Sequence, residues 1–196
     1  MSGKNRLSGE VAKKANELLP AVVELFEKFE IPFCLDGGTL LGIARENRLL
    51  PWDNDLDFFV RGVDAPQIAK LKWRLLLLGC RLKKRKALEN YGPIPKGAPR
   101  LFKIQTLKKY DGHRVIIDLI FKYPDEKDYH WTVGSKPSVH KKISRHYYDK
   151  FEQINYLGKE YPTPCELDSY LTSRYGDWRT PIKEWDFRKD DNALTE

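Results

Sequence analysis

The 196-residue sequence predicts one domain of α/β or α+β class. Three observations carry this. Segments with helical spacing of apolar residues alternate with short apolar or alternating runs. One of those runs, VIIDLIF at 115–121, is continuous enough for a strand buried on both faces. The length fits a single domain of ~100–200 residues, and 41% hydrophobic residues exceed the content of a disordered chain. The core is expected over about 9–180 within a domain of 1–196, with a loose charged tail at 186–196.

Residues 9–30 read as an amphipathic helix. Val11, Ala15, Leu18, Leu19, Val22, Leu25, Phe26 and Phe29 recur at spacings of three and four, with Ser8 placed to cap. Pro32 enforces extended backbone before it. Phe33 to Leu35 then reads as a short buried strand, and Leu40 to Glu46 as a short helix. Leu56 to Val60 alternates like a strand. Asp64-Ala65-Pro66-Gln67 has a capping-box pattern with proline in the first turn, so a helix is expected to about Leu78, ended by Gly79. Residues 80–86 and 101–107 read as strands joined by the loop GPIPKGAP. The strand 115–121 carries Asp118 inside it. Residues 124–150 read as a loop or weak helical excursion, and 151–161 as a strand pair around Gly158. Thr163-Pro164-Cys165-Glu166 resembles another capping box, with its helix ending at Gly176.

Composition excludes several classes. No apolar run approaches the ~18 residues of a membrane span. The N-terminal MSGKNRLSGEVAKKANE lacks the apolar core of a secretory signal. A cytoplasmic protein is therefore expected, with a peripheral position at the inner face of the membrane as the variant in which it meets a lipid-linked partner. Cys34, Cys80 and Cys165 form no CxxC pair, against a disulfide framework or structural zinc. His113, His130, His140 and His146 show no HxH or HExxH spacing and are given no role. The net charge is +7, yet residues 81–114 hold 11 of the 35 basic residues and only two of the 28 acids. Such a local patch suits either an anionic partner or a solvated strand–loop–strand surface.

The chemistry concentrates in residues 35–60, LDGGTLLGIARENRLLPWDNDLDFFV. Asp53, Asp55 and Asp57 alternate, so a strand would place all three on one face. Aligned carboxylates repel one another unless a cation sits among them. Oxygen-only ligands select a hard ion, Mg²⁺ or Mn²⁺. Asp118 completes the metal cluster if its strand lies beside that of Asp57. Taken singly, the triplet also suits a solvated turn, and Asp118 a pair with Lys or Arg. Upstream, Gly37-Gly38-Thr39 sits between strand and helix, where backbone N–H groups can approach a phosphate. Thr39 would cap the helix or bond a phosphate oxygen, and Arg45 could reach the same anion. Trp52 suits stacking on a base or sugar, or packing of its own loop.

The order glycine pair, short helix, Asp-x-Asp resembles the nucleotidyltransferase-fold superfamily of polymerase-beta-like enzymes. The fuller string GGTLLG, Arg45 and PWDNDLD resembles the LicD/fukutin family in particular. Asp118 matches that family's third-strand acid. Residues 154–181, from INYLGKEYPTP to YGDWRTP, resemble its closing segment. The likeness covers about 15–185, but 124–150 matches no part of the pattern. It implies a mixed sheet with flanking helices and the bacterial, cytosolic branch of the family. It also implies transfer of a phosphoalcohol, of the phosphocholine, glycerol-phosphate or ribitol-phosphate type. The donor would be a CDP-linked alcohol, the acceptor a hydroxyl of a glycan or lipid-linked glycan, and CMP would leave. Asp55, Asp57 and Asp118 would be catalytic, and with Asp53 would hold Mg²⁺ (or Mn²⁺). Gly37, Gly38, Thr39, Arg45 and Lys103 would hold the diphosphate, and the basic segment, through Lys103, Gln105 and Arg114, would bind the donor or an anionic acceptor polymer. Asp118 is the first candidate to accept the acceptor's proton. Two rivals stand beside this reading. One is an NTP-dependent nucleotidyltransferase acting on RNA or protein, in which the basic segment would bind RNA phosphates. The other is a non-catalytic binding module, which would leave the crowding of four acids unrepaid.

Overall fold

The computed structural model describes residues 6–134, 137–182, 185–186 and 188–193. The chain runs α1 (Gly9–Lys28), β1 (Phe33–Leu35), α2 (Gly37–Glu46), β2 (Leu56–Arg61), α3 (Ala65–Lys70), α4 (Lys72–Leu77), β3 (Cys80–Lys86), β4 (Pro99–Thr106) and β5 (Ile116–Pro124). It continues through β6 (Asp128–Val133), β7 (Val139–Ser144), β8 (Phe151–Tyr156), β9 (Lys159–Pro164) and α5 (Leu167–Tyr175). The architecture is α+β. A mixed sheet in the order β1-β2-β5-β4-β3 is antiparallel except for the central β2–β5 pair, and helices flank it.

Period-two alternation gives this sheet two different faces. Leu56, Phe58 and Val60 of β2 and Ile117, Leu119 and Phe121 of β5 are buried in the apolar core with α1. Phe26 of α1 meets Phe33 and Phe58 edge-on, at ring separations of 5.5 and 6.2 Å. The alternate residues form the second face. Asp57 stands beside Asp118, Phe59 beside Ile120, and Lys103 of β4 beside Asp118 on its other side.

The ends of several elements differ from the sequence expectations. Ser8 makes no side-chain cap, and the Asp111 carboxylate instead accepts from the Glu10 N–H at 2.8 Å. The helix after β1 starts at Gly37 rather than Leu40, because Asp36 caps it. Asp64 spends its carboxylate on Arg61 at 2.8 Å, Gln67 donates to the Phe29 carbonyl, and the expected helix splits at Leu71 into α3 and α4. Thr163 and Pro164 finish β9 instead of starting α5; the Glu166 N–H donates to Glu152.

Two larger corrections concern the second half. Residues 124–150 are not a loop. They hold the end of β5, the antiparallel hairpin β6–β7 and a 3₁₀ turn at 145–148. Buried polar residues, His130, Thr132 and Lys141, conceal its alternation. Nor is the tail wholly loose. Asp191 and Ala193 are buried, and Asp191 accepts from Lys141 and, at 2.8 and 3.0 Å, from Arg174. Tail residues 187 and 194–196 lie outside the described residues.

A buried charge cluster joins these layers. Asp36 pairs with Lys122 of β5 at 2.7 Å and with Arg174 of α5 at 3.3 Å, and accepts from the Tyr170 hydroxyl. Lys122 also lies 4.1 Å from the centre of the Trp131 ring. Removing one partner of a buried pair strands the other charge. Asp36→Ala is expected to lower the unfolding free energy in urea by about 3–5 kcal/mol; an effect below 1 kcal/mol would show that the cluster carries no such weight.

Candidate active site

The polar face of the sheet opens into a cavity of about 1070 Å³. Asp53, Asp55, Asp57 and Asp118 line one wall with Gly37 and Gly38. Sequence order explains the convergence. Asp57 lies in β2 and Asp118 in β5, and the parallel register sets them side by side. Asp53 and Asp55 precede β2 in a turn whose Asp53 N–H donates to the Leu50 carbonyl.

The glycines serve this crowding. A Cβ on Gly37 would lie 2.2 Å from Asp57 Oδ2, and one on Gly38 1.9 Å from Asp53 Oδ2. Gly37 also has φ +54°, which L side chains adopt rarely. Neither could be replaced without displacing a carboxylate. Their N–H groups are engaged: Gly37 donates to Asp36 at 2.8 Å and Gly38 to Asp57 Oδ2 at 3.1 Å. Thr39 Oγ1 accepts from the Asp57 N–H at 2.8 Å, so it braces the acid strand instead of capping α2.

The cations expected from sequence fare differently. Lys103 enters the cluster, with its Nζ 2.5 Å from Asp118 Oδ2 and 3.7 Å from Asp55. Arg45 lines the cavity, but its guanidinium is bound to Glu46 at 2.6 Å and faces the Trp178 carbonyl. Gln105 accepts from Arg81, and Arg114 donates to the carbonyls of Thr106 and Leu107; neither lines the cavity. Trp52 lines it and is 45% exposed, which leaves its ring free to stack. The four histidines stay outside; His130 sits between Asp125 and His140 on the β6–β7 hairpin.

Burial and mutual repulsion dominate the electrostatics. Burial, then the charge of Asp55, pushes Asp53 and Asp118 up to about 7. Asp57 is driven well above the usual carboxylate range by burial and then by Asp55, Asp53, Asp118 and Asp36. Burial also raises Asp55, against the opposing pull of Lys103. Asp36 is the contrast: burial would raise it, but Lys122 and Arg174 hold it well below the usual range. Lys103 is thus too little positive charge for four cavity acids. Asp118 Oδ1 is buried with no hydrogen-bond partner among the described residues. Hard oxygen donors and an orphaned carboxylate oxygen fit a divalent ion such as Mg²⁺ or Mn²⁺.

Sequence reading missed several residues here. Asp36, Lys122, Arg174 and Arg100 all line the cavity or fasten its wall. Lys122 was legible, since it lies four residues from Asp118 and so shares its face. Arg174 and Arg100 have no such signal.

A family model described as LicD/FKTN/FKRP, nucleotidyltransferase domain, matches residues 30–166. The Ribitol-5-phosphate transferase FKTN of Homo sapiens is 26% identical over 180 residues, covering 90% of this chain and 36% of that protein. Its counterpart in Mus musculus is 26% identical over 179 residues, covering 90% of this chain and 35% of its own. Uncharacterized protein RT0683 of Rickettsia typhi is 28% identical over 166 residues, covering 84% of this chain and 50% of that protein. The chain therefore spans about a third of the FKTN relatives it matches.

Without a cation, ionising the acid cluster burdens the folded state. Asp53 and Asp118 have raised folded pKa values, so the stability they contribute is complete below about pH 4 and is lost as pH rises through about 7. The melting temperature of metal-free protein is expected to fall from about pH 5 to about pH 8, and to fall less in Asp53→Asn. Equal slopes for the two proteins would contradict the assignment.

Proposed function

Because the chain belongs to the LicD/FKTN/FKRP nucleotidyltransferase-domain family, we propose that it is a phosphotransferase. In this reading a phosphoalcohol, of the ribitol-phosphate, glycerol-phosphate or phosphocholine type, moves from a CDP-linked donor to a glycan hydroxyl. The β1-β2-β5-β4-β3 sheet is read as a nucleotidyltransferase fold. One observation carries the proposal most directly. Four carboxylates from two parallel strands and their lead-in converge on a cavity, and Asp118 Oδ1 among them has no partner.

The new bond joins the acceptor oxygen to the phosphorus bearing the alcohol. The bond broken is the one from that phosphorus to the oxygen of CMP, which leaves with the electron pair. A divalent ion bound at Asp53, Asp55, Asp57 and Asp118 would neutralise the diphosphate and the departing CMP. Asp118, whose Oδ1 has no hydrogen-bond partner among the described residues, would take the hydroxyl proton once that charge is present. Lys103, 2.5 Å from the other oxygen, holds its carboxyl in place. Lys103 also brings positive charge to the phosphoryl group as the donor enters. Trp52 at the cavity offers a face for a base or sugar. No helix among the described residues is long and apolar enough to cross a membrane.

The test is a thermal-shift panel with Mg²⁺. Its ligands are CDP-ribitol, CDP-glycerol, CDP-choline, CDP-ethanolamine and the four NTPs. The proteins are wild type and the double variant Asp55→Ala/Asp57→Ala. A metal-dependent rise for one CDP-alcohol is expected, roughly 2–4 °C per kcal/mol of binding linkage, and it should vanish in the double variant. Transfer of the alcohol phosphate should fall at least about 100-fold in Asp57→Ala. Shifts with NTPs and none with CDP-alcohols would overturn the proposal in favour of nucleotide transfer to RNA or protein.

A further inference from the structure

We infer that Arg100, with Arg85 beside it, is an anion-binding site of the cavity that takes a phosphate group and is distinct from the four-carboxylate cluster. Most positive groups around the cavity already have partners. Lys103 is bound to Asp118, Arg45 to Glu46, Lys141 to Asp191, and Arg174 to Asp36 and Asp191. The Gly37 and Gly38 N–H groups donate to carboxylates. Arg100 differs. It lines the cavity at 6% exposure, and no ion pair or hydrogen bond engages its guanidinium among the described residues.

Its position depends on an irregularity in the sheet. Arg85 of β3 pairs with Leu101 of β4, but the next pair is Lys86 with Pro99. Arg100 is therefore the extra residue of a β-bulge. In an unbroken strand it would share the face of Phe102 and Ile104, which are buried in the core. The bulge turns it to line the cavity with Leu101 and Lys103. Arg85, on the neighbouring strand, lines the same wall.

A buried guanidinium without a partner is costly, and an anion repays that cost. Its planar fork of donors matches two oxygens of one phosphate. The charge of Arg85 adds to the same demand: burial and then Arg85 both disfavour the charged form of Arg100. Two sources share the chemistry, the donor's diphosphate or a phosphate on the acceptor. Only the choice between them rests on the proposed phosphotransfer.

The probe is inorganic pyrophosphate, titrated calorimetrically into metal-free protein in EDTA. The proteins are wild type, Arg100→Met, Arg100→Lys and Asp57→Asn. Binding is expected to wild type and Asp57→Asn alike, about 10-fold or more weaker in Arg100→Met, and intermediate in Arg100→Lys. No binding to wild type, or equal binding by folded Arg100→Met, would overturn the site. If Arg100→Met fails to fold, unchanged binding by Arg100→Lys does so. This arm needs no turnover, so it stands even if no CDP-alcohol is a substrate. In turnover, a raised KM for the donor in Arg100→Lys assigns the phosphate to the donor, and a raised KM for the acceptor assigns it to the acceptor. If both KM values are unchanged, the site has no part in the reaction.

Discussion

The carboxylate of Asp36 is the point on which the rest of the structure hangs. Its backbone N–H donates to the Asp57 carbonyl, its side chain caps α2, and its charge holds Lys122 of β5 and Arg174 of α5. Arg174 then holds Asp191 near the C-terminus, and Asp191 holds Lys141 of β7. One residue at the end of a three-residue strand thus ties together elements from every part of the chain. A lone buried ion is prohibitive, and a buried pair repays its desolvation only with full hydrogen bonding. Tyr170 and Tyr148 supply those bonds, to Asp36 and Lys122 respectively. The apolar core packs the far face of the sheet, while this cluster positions the near one.

The cluster also explains why two sets of acids in one cavity behave in opposite ways. Asp36 and Asp191 are as buried as Asp118 and more so than the half-buried Asp57, yet they stay ionised because Lys122, Arg174 and Lys141 face them. Lys122, Arg174 and Lys141 are spent there, and among the described residues only Lys103 pairs with the other set, at Asp118 and Asp55. The fold satisfies the acids that hold it together and leaves short those that face open space. The glycine pair works toward the same end, because without side chains it lets two carboxylates approach a helix terminus that larger residues would cover.

Much of this was legible in the sequence, and the rest was hidden for physical reasons. The alternation of Asp53, Asp55 and Asp57, and a lone Asp118 in an apolar run, are local patterns; the sheet sets Asp57 beside Asp118, while Asp53 and Asp55 reach the same cavity from the turn before β2 and not from its strand face. The strands 80–86, 101–107 and 115–121 were readable to within three residues at their ends. Capping was not, because Asp64 is taken by its near neighbour Arg61, Gln67 by the distant Phe29 carbonyl, and Thr163 by a strand. The β6–β7 hairpin was hidden since Lys141 and His130 occupy buried sites that sequence reading assigns to apolar residues. Arg100 was hidden more deeply. Its face depends on a bulge, and a bulge is a property of two paired strands, which neither strand displays alone.

The pairing of β2 with β5 has a kinetic consequence. These central strands are parallel, so they cannot be joined by a hairpin, and the connection between them carries α3, α4, β3 and β4. β1 and β2 can pair from neighbouring sequence, which brings Asp36 and Asp57 together early. Asp118 arrives only after the long crossover has closed, and closing such a loop is slow before its contacts repay the entropy. During synthesis, the ribosome must release more than half of the chain before all four acids can meet. The folding chain is thereby spared the full repulsion of the cluster until most of its framework exists to bear it.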